Sequence, residues 1–213
     1  MEILFEDGEI LVCIKPVGVV SQADETENNM ITLLEKLTGG TVYPLHRLDR
    51  EVGGVMVYAK SRFAAACLSK NIAEHKFKKE YMALVHGKPP ENRGEMRDLL
   101  FKDSRKNKSF VVKRMRKGVK EALLDYEVLN SKNGLSLVKI LLHTGRTHQI
   151  RVQFASRKMP LAGDKKYGAN DDFNNIGLWS YKITFNHPKT KEKLEFEKIP
   201  ENFMGEYISK DGA

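Results

Sequence analysis

One acid of this chain stands in a setting suited to chemistry. The segment His46-Arg47-Leu48-Asp49-Arg50-Glu51-Val52-Gly53-Gly54 places Asp49 between two arginines and follows it with paired glycines. Guanidinium groups that point at a carboxylate favour its ionised form, and glycines let backbone or ligand approach closely. Asp49 is therefore a candidate nucleophile or base, with a salt-bridged loop acid as the equal alternative on these residues alone. Glu51 is the nearest second acid. Residues two apart on an extended segment share a face, so an extended Asp49–Glu51 pair would supply the two carboxylates that sugar hydrolases use.

The second segment rich in functional groups is Leu142-His143-Thr144-Gly145-Arg146-Thr147-His148-Gln149-Ile150-Arg151-Val152. If Thr147 caps a helix, Ile150 and Phe154 face the core, while His148, Arg151 and Ala155 share another face. Arg146 and Arg151 are five apart, about 140° around an ideal helix, and should serve different partners. A plain amphipathic helix with solvated arginines is the alternative. Metal chemistry has little support, because the histidines at 46, 75, 86, 143, 148 and 187 form no HxxxH or HExxH array. Cys13 and Cys67 lie far apart with no CxxC pair, so they read as ordinary buried thiols rather than a zinc site or a disulfide. Lys15-Pro16-Val17-Gly18 has neither a GK[ST] ending nor a GxGxxG pattern, which argues against nucleoside-triphosphate and nicotinamide chemistry.

These residues need a scaffold, and 213 residues with 41% hydrophobic content can build one sizeable core with room for two lobes. A single domain over 1–213 is expected. No apolar run approaches the ~20 residues that cross a bilayer, and the opening Met1-Glu2-Ile3-Leu4-Phe5-Glu6-Asp7 lacks a basic leader. The expectation is a soluble cytoplasmic protein with no membrane partner. The absence of an apolar stripe beyond the core favours a monomer. Net charge is +8, which points to an anionic partner such as nucleic acid, with solubility as the plainer alternative. Distribution tips the balance: between Lys102 and Lys120 nine basic residues stand against one acid, Asp103. Such a run resembles a phosphate-contacting arm, or else an exposed, mobile one.

The elements read as strands with a few helices. Ile3–Phe5 and Ile10–Ile14 form a hairpin through Asp7-Gly8, and Lys15-Pro16 ends its second strand. An acidic loop over 22–29 leads to a short helix around Ile31–Leu37, closed by Gly39-Gly40. Val55–Tyr58 is a buried strand, and Arg62–Ala73 a helix with Phe63, Ala66, Cys67 and Lys70 at helical spacing. Tyr81–Val85 is a further strand, ended by Gly87 and Pro89-Pro90. Glu121–Leu129 and Leu135–Leu142 pair around Asn133-Gly134, Thr144–Ser156 is a turn and short helix, and Ile176–Phe185 with Lys193–Phe196 closes the chain. The class is α+β.

In order along the chain, six blocks resemble the RluA-like pseudouridine synthase family. They are Ile14-Lys15-Pro16-Val17-Gly18, the HRLD of His46–Asp49, Lys79–Val85 as Lys-x-Tyr-x-Ala-Leu-Val, and TGRTHQIRV at Thr144–Val152. Leu161-Ala162-Gly163-Asp164 with Tyr167-Gly168 follows, and then Phe185-Asn186-His187-Pro188. The resemblance implies the family's catalytic fold, a central, largely antiparallel mixed sheet with flanking helices and loops and a central active-site cleft. It also implies isomerisation of uridine to pseudouridine in structured ribosomal or transfer RNA, without cofactor or metal. Asp49 matches the essential aspartate, acting as nucleophile at the ribose C1′ or as base toward a glycal. Arg151 matches the arginine that pairs with it, Tyr81 the aromatic that stacks on the target base, and Arg47 a residue that holds the RNA once the uridine is extruded. Extrusion costs a few kcal/mol, and a stacking partner worth ~1–3 kcal/mol offsets part of it. Further RNA contacts are expected from His46, Lys106, Lys108, Arg114 and Arg116, and from Arg146, for which a structural turn role has equal weight.

Three departures stand out against the family pattern. Val52-Gly53-Gly54 replaces the common Thr-Ser-Gly and so lacks hydroxyls near the site. Gln153 and Trp179 each stand where a histidine is usual. The Lys-Pro block begins at residue 15, so no S4-type RNA-binding domain is expected ahead of it. Two rivals follow: a non-enzymatic RNA-binding protein that keeps the fold, and a glycosidase-type hydrolase using Asp49 and Glu51.

Overall fold

The computed structural model describes residues 1–22 and 28–200, so the stretch 23–27 of the expected acidic loop lies outside the described residues. The elements run β1 (Ile3–Glu6), β2 (Ile10–Lys15), α1 (Met30–Thr38), β3 (Tyr43–Pro44), β4 (Gly53–Ala59), α2 (Arg62–Ala73), β5 (Lys78–His86) and β6 (Arg93–Asp103). They continue with β7 (Lys108–Val112), β8 (Val119–Lys132), β9 (Leu135–Leu142), α3 (Gln149–Ser156), a 3-10 turn (Lys165–Tyr167), β10 (Leu178–Asn186) and β11 (Lys193–Glu197). Two compact units result, one from Met1–Lys79 with Trp179–Ile199, the other built on Glu80–Leu178.

In the first unit the strand order is β1-β2-β4-β10, with β3 beside β4 and β11 beside β10. The β1–β2, β2–β4, β3–β4 and β10–β11 pairs are antiparallel, and β4–β10 is parallel. This is the mixed, largely antiparallel sheet of the expected α+β class. All seven residues of β4 are buried, which is why Gly-Gly-Val-Met-Val-Tyr-Ala reads as a continuous apolar run rather than an alternation. Ile10, Val12, Val55, Val57, Leu68, Phe77, Ile183 and Phe185 form the core. Asn29 and Ser61 cap α1 and α2 by accepting the Thr32 and Ala64 N–H groups, and Gly39 ends α1 in the left-handed region. The buried face of α2 is Ala64 and Leu68, whereas Phe63 is 56% exposed. Cys13 is buried as expected. Cys67 is only half-buried, because it sits beside that face rather than on it.

In the second unit the order is β5-β9-β8-β6-β7. The β8–β9 hairpin turns at Asn133 and Gly134, both at positive φ, as a two-residue turn of this type requires. The basic stretch 102–120 is not a loose arm. It is largely the end of β6, the antiparallel partner β7 and the loop into β8. The sequence hides β6 because its exposed positions are charged: Arg93 pairs with Glu127, and Arg97 with Glu95 and Glu121. Gln149–Phe154 of α3 are all buried, with Val152 in a cluster with Leu100, Ala122 and Tyr167. Thr147 does not cap α3. His148 takes that place in the left-handed region and makes no side-chain cap bond.

Candidate active site

Asp49 sits in a segment fixed on both sides by short polar bonds. Leu48 donates its N–H to Ser21 Oγ (2.9 Å), and Ser21 Oγ donates to the Leu48 carbonyl (2.7 Å). The Tyr58 hydroxyl donates to the Ser21 carbonyl, which fixes Ser21 in turn. On the other side the Arg50 carbonyl accepts from the Gly18 N–H (2.8 Å) and from Lys15 Nζ (3.3 Å), and Arg50 Nε donates back to the Gly18 carbonyl. The Val52 N–H closes a turn onto the Asp49 carbonyl at 3.0 Å. Asp49 and Glu51 are thus in a turn, not on an extended face, and Glu51 is exposed at its crest.

A buried lysine adds to the positive setting of Asp49. Arg47 is exposed, and Arg50 Nε donates to the Gly18 carbonyl. Lys15 is fully buried, and its ammonium also donates to the Pro16 and Val19 carbonyls (2.8 and 2.7 Å). Burial pushes its pKa down to about 8, while the charges of Asp49 and Glu51 work against that fall. Lys15 is thus a buried cation whose charge interacts with those of Asp49 and Glu51. Sequence reasoning missed Ser21 entirely. Lys15 entered it only as part of a motif, although a lysine before proline at the end of an apolar strand is an unusual burial signal.

His46 carries no charge here. Both ring nitrogens are buried without a hydrogen-bond partner, the ring lies 5.6 Å from that of Phe77, and burial beside Lys79 pushes its pKa down to about 3.

In the second unit, Tyr81 is on β5 and only 5% exposed. Arg151 is buried, not solvated: Nε and Nη2 donate to the two carboxylate oxygens of Asp164 at 2.7 and 2.8 Å. Its guanidinium also lies 5.2 Å from the Tyr167 ring centroid. The Tyr167 hydroxyl accepts the Ser109 N–H (2.8 Å) and shares a hydrogen bond with His148 Nδ1 (2.9 Å). Tyr167 therefore joins β7, the start of α3 and Arg151. Arg146 donates to a separate partner, the Glu121 carbonyl, but it lies before α3, so the turn and not a helical offset from Arg151 sets this. Lys106, Arg114 and Arg116 are exposed on the β6–β8 stretch. The Lys108 ammonium is drawn to the Lys166 carbonyl and lies over the Tyr167 ring.

The departures have packing reasons. Gln153 is buried and donates to the Met96 carbonyl and Asp98 Oδ2, tying α3 to β6. Gly53 and Trp179 are partners in the parallel β4–β10 register. A Cβ on Gly53 would fall 2.3 Å from Cζ3 of the Trp179 indole, so the large residue occupies the space left by the missing side chain.

Comparison with known proteins agrees with the six blocks. Residues 9–156 match the model of the RNA pseudouridylate synthase family. An uncharacterized RNA pseudouridine synthase of Bacillus subtilis, YhcT, is 34% identical over 207 residues, spanning 92% of this chain and 68% of its own. Ribosomal large subunit pseudouridine synthase C of Buchnera aphidicola from Acyrthosiphon pisum is 34% identical over 204 residues, 90% of this chain and 65% of that protein. Among solved structures, human RNA Pseudouridylate Synthase Domain Containing 4 superposes with a TM-score of 0.78 at 23% identity, covering 95% of this chain and 90% of that one. That likeness speaks to the fold. The sequence matches go further: this chain belongs to the RNA pseudouridine synthases, isomerases that convert uridine to pseudouridine.

Proposed function

We propose that the chain isomerises a uridine in structured ribosomal or transfer RNA, with Asp49 as the catalytic carboxylate. The observation that carries this reading is the double clamp on Leu48 and Arg50, which fixes the one acid that matches the family's aspartate beside a buried cation. Preorganised geometry and charge at the reacting group are what a positioned carboxylate needs. The N1–C1′ bond breaks as Asp49 attacks C1′ or takes the 2′ proton. The freed uracil anion turns and its C5 bonds to C1′ as the Asp49 ester bond breaks or the 2′ proton is returned; C5 then loses its proton to solvent and N1 takes one up, which leaves Asp49 a free carboxylate. Arg151, its orientation fixed by Asp164, would serve as the family's substrate-binding arginine. Tyr81 would stack on the extruded base, and Arg47 and the basic β6–β8 stretch would hold the phosphates. We infer that the whole of 1–213 acts as one catalytic domain, as a cytoplasmic monomer without cofactor or metal.

The rival of an inactive RNA binder rests on Val52-Gly53, and the Gly53–Trp179 packing gives that departure a steric cause instead. The test is pseudouridine mapping of ribosomal and transfer RNA from cells with and without the gene. The proposal expects at least one uridine in either class to lose its modification, returning with wild-type protein. Identical maps in both classes would overturn it.

A further inference from the structure

The positive charge between Lys102 and Lys120 surrounds two aromatic rings. Phe101 on β6 and Phe110 on β7 are direct cross-strand partners, so both leave the hairpin on one face. Their neighbours Leu100 and Ser109 point the other way and are buried, Leu100 against Ala122, Val152 and Tyr167. The aromatic face is the outer one: Phe110 is 36% exposed and Met115, in the following loop, 62%. Cations lie over the rings. Lys106 Nζ and Lys108 Nζ are 6.0 and 5.9 Å from the Phe110 centroid, and the Arg116 guanidinium is 5.1 Å from that of Phe101. A turn closed by the Val119 N–H on the Arg116 carbonyl, with Gly118 at positive φ, sets Arg116 there.

An arm that only neutralises phosphates needs mobile cations and has no use for rings held on an outer sheet face. An unpaired nucleotide offers a π face and a phosphate together, whereas a duplex hides its bases. We propose that the outer face of the β6–β7 hairpin is a stacking platform for unpaired nucleotides of the RNA. Phe110 and Phe101 take base faces, and Lys106, Arg114 and Arg116 take the adjoining phosphates. Lys108, engaged with the Lys166 carbonyl and the Tyr167 ring, holds the platform to the unit beneath. This rests on the reading that the chain acts on RNA, and it names the part of that RNA the hairpin grips.

The test is fluorescence anisotropy with a labelled single-stranded uridine-rich oligoribonucleotide and with a fully paired duplex of equal length, over a range of salt. Phe110→Leu keeps the apolar bulk and loses the π face. It should weaken single-strand binding about ten-fold, with the slope of log affinity against log salt unchanged, and leave duplex binding as it was. Phe110→Trp should retain wild-type affinity, and Arg114→Ala should flatten the single-strand slope by roughly 0.7. Phe110→Leu binding single strands like wild type, or losing equally on both RNAs, would overturn the platform. Wild type binding neither RNA would defeat the RNA reading itself.

Discussion

Gly53→Ser restores the residue that the family commonly has there, yet in this chain it should be destabilising. The new Cβ would fall 2.3, 2.9 and 3.0 Å from Cζ3, Cε3 and Cη2 of Trp179, well inside contact distance. Relief by a swing of the indole is opposed by its burial at 7% exposure and by the bond from Nε1–H to the Lys198 carbonyl at 2.9 Å. Overpacking of this kind costs about 1–3 kcal/mol, and two rigid partners put the value near the top of that range. For a chain of this size that is a fall in Tm of roughly 6–12 °C. Trp179→Leu removes the ring, at about 2–4 kcal/mol of its own for lost burial, and should abolish the penalty of the serine. In the Trp179→Leu background Gly53→Ser is expected to cost within about 0.5 kcal/mol of nothing, a coupling of about 2.5–3 kcal/mol. Urea unfolding of the four proteins measures it. Equal cost of Gly53→Ser in both backgrounds would refute the argument. Gly54 supplies a contrast, since its Cβ would meet the Ser180 carbonyl oxygen at 2.2 Å with φ at +131°. Gly54→Ala should therefore be as costly or worse and should not be rescued by any change of side chain at 180.

Other outcomes follow from the same geometry. Asp164→Asn leaves the Arg151 guanidinium buried without its bidentate anion, which should cost about 3–5 kcal/mol in denaturant unfolding and lower turnover as Arg151 loses its orientation. Arg151→Lys should also fail, because an ammonium cannot make the two-pronged contact. His46 has a folded pKa of about 3 against 6.5 unfolded. Its contribution is complete above pH 6.5 and is lost as pH falls toward 3, because the unfolded chain binds the proton first; the loss is at most about 5 kcal/mol. His46→Phe should flatten stability against pH over that window, read by unfolding at about pH 3.5, 5 and 7. Ser21→Ala removes both bonds to Leu48 and should cost about 1–2 kcal/mol, with a loss of turnover exceeding any loss of RNA affinity.

Much of the scaffold was legible because local signals and tertiary needs coincide. Asp7-Gly8 and Asn133-Gly134 mark hairpins through turn geometry that few other residues accept. The helix over Arg62–Ala73 appears at the residues its pattern predicts, although its buried face is Ala64 and Leu68. Periodicity fails where cross-strand charge pairs replace apolar alternation, as along β6, so a basic run read as an arm is a hairpin. It fails also at α3. There Gln149–Phe154 are buried together, and the helix starts from a left-handed His148 held by Tyr167, 19 residues on. Chemistry was legible as residue types and not as partners. Asp49 and Arg151 stand out by composition, but Ser21, Lys15 and Asp164, which hold them, act across 13 to 35 positions that no local pattern links. The Gly53–Trp179 exchange shows this most plainly, since each looked like a separate departure and only the parallel register joins them.

The central claim is that Asp49, fixed by the clamp on Leu48 and Arg50, carries out the isomerisation. Release of tritium from RNA labelled at uridine C5 tests it most directly, because the C5 proton is lost only when carbon replaces nitrogen at C1′. Ribosomal and transfer RNA lacking the chain's own modification serve as substrate. Wild type should release tritium in step with pseudouridine formed and without free uracil, and Asp49→Ala should release none while still binding the RNA. Undiminished release by Asp49→Ala, or free uracil in place of tritium release, would contradict the account.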